Sequence, residues 1–330
     1  NKKHEGNRQF CESLKSSVDL TEQTKFDIAA ALQRVTENHY QSLLTPVIDK
    51  AISNGIKNLC LSGGVVLNSV MTGKMLEWWP QLDDIYVCPV PYDAGLAIGA
   101  AQLVWHRELG NPRVNWEDNC TPYLGKKYSK YDVLGAINSA RDSIVAEHGV
   151  SIDDVVDKLI GQNIISVFGG GSESGRRALG NRSILADPRS EKMKDMINEK
   201  VKHRQWYRPF APSILRDDVA EWFERDKNSP YMSFVMKFKE EKAKEVPAVV
   251  HFDNTARLQT VTRKDNPWYH SLLNSFKAKT GVPILLNTSF NDREPIVETP
   301  RDAVSCFMGT NIDYLYFYDE KILVRKAISE

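Results

Sequence analysis

No run of 18 apolar residues occurs anywhere in the chain, which excludes a membrane-spanning helix, and the opening residues lack the pattern of a signal peptide. Cysteine is sparse: Cys11, Cys60, Cys88, Cys120 and Cys306 are odd in number, widely spread and form no CxxC pair. That argues against a disulfide framework and for a reduced, cytoplasmic protein. Histidine is scarce too; His4, His39, His106, His148, His203, His251 and His270 make no HxxxH or HExxH pair, and no GxSxG elbow occurs. A self-contained zinc hydrolase or serine hydrolase is therefore excluded. Net charge is absent, Lys+Arg and Asp+Glu standing at 43 each, so the broad positive field of a non-specific nucleic-acid binder is missing.

What remains is 330 residues, 42% of them hydrophobic, enough for two ordinary cores. The first residue is Asn1, not Met, and the charged, polar opening starts no clear element, so a fragment or a processed chain is expected. Ile28, Leu32, Val35, Leu43, Val47 and Ile52 recur at helical spacing and predict a long helix over 19–54, with Asp19 and Glu22 as a capping box and Pro46 as a potential kink. Short apolar runs at 58–62 and 85–88 predict strands with a helix between them, and the small residues from Leu96 to Ala101 predict a helix packed closely on a neighbour. Polarity rises from 110 to 130, where a domain boundary is expected. Beyond it, helices are expected at 130–148, 152–159, 193–201, 270–279 and 300–308, and strands at 164–168, 232–238, 283–286, 314–318 and 322–324.

The chemistry concentrates between Arg176 and Arg216, where eleven Lys/Arg face four Asp/Glu. Lys192, Lys194 and Lys200 read as a solvated helix face. Arg177, Arg182 and Arg208 sit among glycines, prolines and apolar residues, where a guanidinium needs an anion to offset its lost hydration. The spacing Gly170 to Gly175 imitates a P-loop, but Arg176-Arg177 replace the required Lys-Ser/Thr, so that assignment is rejected. Two further segments place polar groups in apolar company: His251-Phe252-Asp253-Asn254-Thr255-Ala256-Arg257, and Asn287-Thr288-Ser289-Phe290-Asn291 after a buried-looking strand. For Asn287 and Asn291 an Asx turn is the plain alternative. Trp206 and Tyr207 interrupt basic residues as in single-strand binders, yet Pro209 and Phe210 point to core packing. Ser62-Gly63-Gly64-Val65-Val66-Leu67-Asn68 reads as strand, glycine turn and helix start, which presents amides to a phosphate; Asp93 is a helix cap or a metal ligand.

Six ordered motifs together resemble the O-carbamoyltransferase family of nodulation-factor and antibiotic-tailoring enzymes: 62–68, 93–101, 177–189, 208–213, 253–261, and 287–291 with Glu294-Pro295-Ile296-Val297. The resemblance covers nearly the whole chain. It implies an α/β fold in which 1–115 is the second half of an actin-like (ASKHA) ATPase-type domain, 116–130 a linker, and 131–330 a YrdC-like domain. It implies that carbamoyl phosphate and ATP yield carbamoyl adenylate, whose carbamoyl group passes to the hydroxyl of a small molecule or nucleobase. Arg177, Lys202, Arg208, Arg257 and Ser289 then look like the carbamoyl-phosphate and adenylate contacts, with Asn287 or Ser289 bonding the carbamoyl amide.

By the same resemblance Gly63, Gly64 and Asn68 line a nucleotide, and Asp93 helps hold a divalent metal, iron or magnesium. The relatives' upstream HxxxH ligands are not in this sequence, so a missing N-terminal half in cis or in trans is expected, and no membrane. Ser172 and Arg176 stand where arginine and proline are usual, and the loop 291–294 lacks a glycine. Two other readings stay open: a threonylcarbamoyl-type tRNA-modification protein, and a non-catalytic nucleotide-binding subunit.

Overall fold

The computed structural model describes residues 12, 21–113 and 122–327; Cys11, Asp19, Cys120 and part of the expected 116–130 linker lie outside them. The chain divides into two compact units, one of residues 1–57 with 78–83 and one of 58–77 with 84–330. In the first, helix α1 (Glu22–Ser53) starts on Thr21, whose hydroxyl accepts from the Thr24 amide, and runs through Pro46 without a break. Ile48 is buried and Trp79 donates to the Thr45 hydroxyl at 3.1 Å. The apolar spacing foretold the helix, but not a packed face: Leu32, Val35, Leu43 and Val47 are all exposed. Periodicity encodes the helix alone and says nothing of a covering partner.

The second unit opens with a parallel pair, β1 (Asn58–Leu61) and β2 (Asp84–Val87), joined through helix α2 (Ser69–Trp78) and followed by helix α3 (Gly95–Leu103). Gly73 lets α2 lie against the backbone of 235; a Cβ there would sit 2.1 Å from the Val235 carbonyl oxygen. The close packing expected of α3 is not found among the described residues, since none of its side chains is buried and Gly99 faces open space.

The rest is a mixed nine-stranded sheet in the order β3-β11-β10-β4-β5-β9-β6-β8-β7. Its strands are β3 (Ile144–His148), β4 (Ile165–Phe168), β5 (Arg182–Ala186), β6 (Ala211–Leu215), β7 (Phe234–Lys237), β8 (Thr255–Val261), β9 (Ile284–Ser289), β10 (Tyr314–Phe317) and β11 (Ile322–Lys326). The central strands β4, β5 and β6 are buried along their whole length, Arg182 and Ser183 of β5 included.

Helices α4 (Lys130–Ser139), α5 (Ile152–Ile160), α6 (Lys192–Lys200), α7 (Pro267–Thr280) and α8 (Pro300–Gly309) accompany the sheet, α4 packing on α8 and α5 on α7. Local sequence fixes their starts: Ser129 with Asp132, Ser151 with Asp154 and Thr299 with Asp302 form capping boxes, and Asn266-Pro267 caps and opens α7. The helix expected over 130–148 is half that length. It ends at Ser139, a turn closes with the Ser143 amide on the Ala140 carbonyl, and Ile144–His148 pairs antiparallel with β11 instead. Cross-strand pairing overrides helix propensity there.

Sheet topology gathers the polar motifs. β5 and β6 both run antiparallel to β9, and β8 runs parallel to β6. The start of β5, the start of β6, the first half of β8 and the last residues of β9 therefore share one end of the sheet.

Candidate functional site

At that end lies a cavity of about 380 Å³ into which Arg176, Arg177, Arg204, Arg208 and Arg257 turn. Ser69 and Val70, from the first turn of α2, close one side; His251, Asn287, Thr288 and Ser289 complete the polar wall. No carboxylate lines the cavity, and among the described residues none of the five arginines has an ion pair. Burial, followed by the neighbouring Arg177 and Arg204, pushes the Arg257 guanidinium down to about 9. Arg204 is pushed down to about 10 by burial and then by Arg208, and Arg177 is lowered by burial and then by Arg176. Several cations repelling one another in a partly desolvated pocket leave a charge deficit that an anion would fill.

Two buried atoms of this wall have no hydrogen-bond partner, the Arg257 Nε donor and the Asn287 Oδ1 acceptor. Asn287 is held firmly by its other end. Its Nδ2 donates to the Gln259 Oε1 at 2.8 Å, to the Ser213 hydroxyl at 3.1 Å and to the Ala178 carbonyl at 3.2 Å. The flip state is thus fixed by the network, with Oδ1 as the free acceptor. The Asx-turn alternative does not apply to Asn287, which is a buried strand residue; Asn291 does sit in the following turn.

Of the residues singled out in the sequence, Arg177, Arg208, Arg257, Asn287 and Ser289 meet in this one cavity. Lys202 does not line it. Its Nζ donates to the Ser289 carbonyl at 2.5 Å, the Asn291 carbonyl at 2.6 Å, the Asn291 Oδ1 at 2.8 Å and the Ser289 hydroxyl at 3.3 Å. Burial, and then Arg204, push this ammonium down to about 7, against the opposing pull of Cys306, Asp292 and Glu294. Lys202 fixes the turn that leaves β9.

Arg182 corrects an expectation. It is fully buried, stacks over Phe168 at 3.6 Å and gives its N–H groups to the carbonyls of Gly169, Gly170 and Asn181, so it is structural and grips no anion. The glycine loop leading to it enters a strand, not a helix, consistent with rejecting a P-loop. Its shape comes from Glu173, whose Oε1 accepts the amides of Leu179 at 2.7 Å and Asn181 at 2.9 Å, and from Gly180, which has a φ of 119°.

Gly63 and Gly64 lie against Pro91 and Tyr92, the Gly63 amide donating to the Pro91 carbonyl at 2.5 Å. Asn68 caps α2 by accepting the Met71 amide at 3.2 Å, and the Leu67 carbonyl accepts from Arg177 at 3.4 Å. The segment 62–70 therefore adjoins the arginine cavity. Asp93 is exposed in the turn entering α3. No three His, Cys, Asp or Glu side chains among the described residues form a metal-binding group, at Asp93 or elsewhere.

Arg176 and Arg204 were not singled out as site residues, whereas His251 stood in one of the two segments that place polar groups in apolar company. Arg176 and Arg204 read as members of a charge run, and only the fold separates them from the solvated Lys192, Lys194 and Lys200. Trp206 and Tyr207 are exposed while Phe210 is buried, so core packing describes Phe210 alone; Trp206 meets Phe252 edge-on at 6.2 Å.

Two family models match the chain: carbamoyltransferase C-terminus over residues 156–326 and carbamoyltransferase N-terminus over residues 3–102. The chain belongs to the carbamoyltransferase family. It is 40% identical over 312 residues to nodulation protein NolO of Bradyrhizobium diazoefficiens, covering 91% of this chain and 55% of that protein. It is 40% identical over 333 residues to nodulation protein NolNO of Sinorhizobium fredii, covering 97% of this chain and 47% of that protein. An uncharacterized protein of Synechocystis, sll1178, is 40% identical over 320 residues, 89% of this chain and 51% of its own. The chain spans about half the length of these curated relatives. Full-length HypF, in a phosphate- and nucleotide-bound crystal structure, is 16% identical over 56% of this chain and 23% of its own, with a TM-score of 0.36, too low to argue from. The cavity lies within the segment matched by the C-terminal model except for Ser69 and Val70.

Proposed function

We propose that this chain activates carbamoyl phosphate with ATP to carbamoyl adenylate, for transfer of the carbamoyl group to an acceptor hydroxyl on a small molecule or nucleobase. One observation carries the reading: a cavity walled by five arginines and no carboxylate also holds a buried, unpaired amide acceptor at Asn287 Oδ1. Arg177, Arg208 and Arg257 supply the positive charge that a phosphate dianion needs, in the forked geometry that matches its oxygens. Asn287 Oδ1 accepts from the carbamoyl NH2 group, a donor that a simple phosphate lacks. Ser289 Oγ donates to Asn291 Oδ1 at 2.6 Å and offers its remaining lone pair, while Lys202 keeps that turn in place.

Making the adenylate consumes one water and releases phosphate and pyrophosphate. The arginines stabilise the charge that develops on those leaving oxygens. On this reading 131–330 is the YrdC-like activating domain, with 1–115 a partial actin-like domain whose Gly63, Gly64 and Asn68 face the nucleotide. No step is assigned to a metal.

The test is ATP–pyrophosphate exchange. The chain is expected to exchange labelled pyrophosphate into ATP only when carbamoyl phosphate is present, and Arg257→Ala to lower that rate at least 100-fold while the circular dichroism spectrum is unchanged. No exchange by the folded chain, or wild-type exchange by Arg257→Ala, overturns the assignment.

A further inference from the structure

His251 is a titratable group in the cavity wall that the phosphate reading does not use. It precedes β8, six residues before Arg257, and its ring lines the same cavity. Its Nδ1 lies 3.0 Å from the Thr255 hydroxyl oxygen. That hydroxyl donates its only proton to the Asp253 Oδ1, at 2.6 Å, because an ionised carboxylate can only accept. Thr255 Oγ1 must therefore accept from the histidine, which puts the ring proton on Nδ1 and leaves Nε2 as a lone-pair acceptor for whatever fills the cavity. Burial, together with Arg257, drives the ring away from its charged form, to about 4, against the opposing pull of Asp253. The ring is thus neutral at ordinary pH and adds no further cation to the arginines.

Nε2 has no protein partner and is not among the buried unpaired atoms, so water reaches it in the empty cavity, and a phosphate held by arginines has no use for an acceptor there. Asn287 Oδ1 is a second acceptor in the same wall. The phosphoryl group of an acyl phosphate, a dianion at neutral pH, offers no donor; a carbamoyl group offers two N–H bonds, and an acetyl group none.

Building on the carbamoyl-phosphate reading, we propose that Asp253, Thr255 and His251 form a relay that presents His251 Nε2 to an N–H of the bound acyl group. The cavity thereby selects amino-bearing acyl phosphates over methyl-bearing ones. His251 is then a specificity-determining residue, and Thr255 and Asp253 are positioning residues that act through it.

The experiment is calorimetric titration of the whole chain, in the cold, with carbamoyl phosphate, acetyl phosphate and inorganic phosphate in turn. Wild type is expected to prefer carbamoyl over acetyl phosphate by at least tenfold, and His251→Leu to lose about tenfold of carbamoyl-phosphate affinity while the other two anions bind as before. Thr255→Val is expected to fall between the two. Equal weakening of all three anions in His251→Leu, or no weakening of any, overturns the proposal while leaving carbamoyl phosphate as the ligand. A wild-type chain that binds no carbamoyl phosphate overturns the parent reading and this one with it. A second readout needs no variant. Long-range 1H–15N spectra are expected to show His251 protonated on Nδ1, with the Nε2 resonance moving upfield on adding carbamoyl phosphate and staying put with acetyl phosphate. An unprotonated Nδ1, or an Nε2 signal indifferent to carbamoyl phosphate, refutes the relay.

Discussion

Replacing Arg257 by methionine is expected to make the empty protein more stable and the liganded one less so. The guanidinium stem packs in β8, its Nε has no partner, and its nearest charges, Arg177 and Arg204, repel it. Methionine keeps most of the stem volume without the charge, and exchanging a buried ionic group for an apolar one of similar size stabilises by about 1–4 kcal/mol where the charge lacks compensation. Part of the group still reaches solvent in the cavity, so about 1–2 kcal/mol is the better expectation. Phosphate binding moves the other way. Losing hydrogen bonds from a charged donor costs about 1.5–3 kcal/mol each, roughly a 10- to 150-fold loss of affinity. Urea unfolding followed by tryptophan fluorescence, with and without millimolar inorganic phosphate, reads both effects, because a ligand that binds only the folded chain raises the midpoint. The expected pattern is a higher midpoint for Arg257→Met without phosphate and a phosphate-induced shift seen only in wild type. A lower midpoint without phosphate, or an undiminished phosphate shift, refutes the idea that this arginine is held uncompensated for an anion.

Glu173→Ala strands the amides of Leu179 and Asn181 inside the glycine loop; a loss of about 2–4 kcal/mol in urea unfolding is expected, and a wild-type midpoint contradicts the anchor role. Gly180→Ala puts a Cβ at a φ of 119° and 2.5 Å from the Tyr269 ring, so at least about 2 kcal/mol of stability should be lost by the same measurement. For His251 the folded-state value near 4 lies below the ordinary 6.5, so the unfolded chain binds more protons between those limits. Stability should therefore fall as pH drops from about 6.5 to 4, by about 1–3 kcal/mol after allowance for partial exposure, and His251→Gln should flatten that slope; an equally steep slope in the variant rules the histidine out as its source.

The sequence carried the short apolar strands β1, β2, β4, β10 and β11 and the helices whose caps are spelled out by Ser, Thr and Asn, because local chemistry alone decides them. It did not show β3, β5, β6 and β8. β5 begins with Arg182, whose charge disguises a wholly buried strand, and β8 interleaves Arg257 and Gln259 with apolar residues because those polar groups point into a cavity and a side-chain network. Arg177, Arg208 and Arg257 were legible one at a time, by their apolar surroundings, and their convergence with Arg176 and Arg204 was not. It depends on β5, β6 and β8 meeting β9 at one end, a long-range pairing with no local signature. Arg182 and Arg177 look alike on paper; only the loop built on Glu173 turns one inward to Phe168 and the other toward the cavity. The exposed apolar face of α1 shows the converse limit, a helix pattern read correctly with no knowledge of what, if anything, covers it.

The central claim is that the arginine cavity receives an acyl phosphate, and a crystal of the chain soaked with carbamoyl phosphate tests it most directly. The account expects density for the phosphate between the guanidinium groups of Arg177, Arg208 and Arg257, with the carbamoyl nitrogen within hydrogen-bond distance of Asn287 Oδ1. A cavity that stays empty at saturating ligand, or density for carbamoyl phosphate at another site, contradicts it.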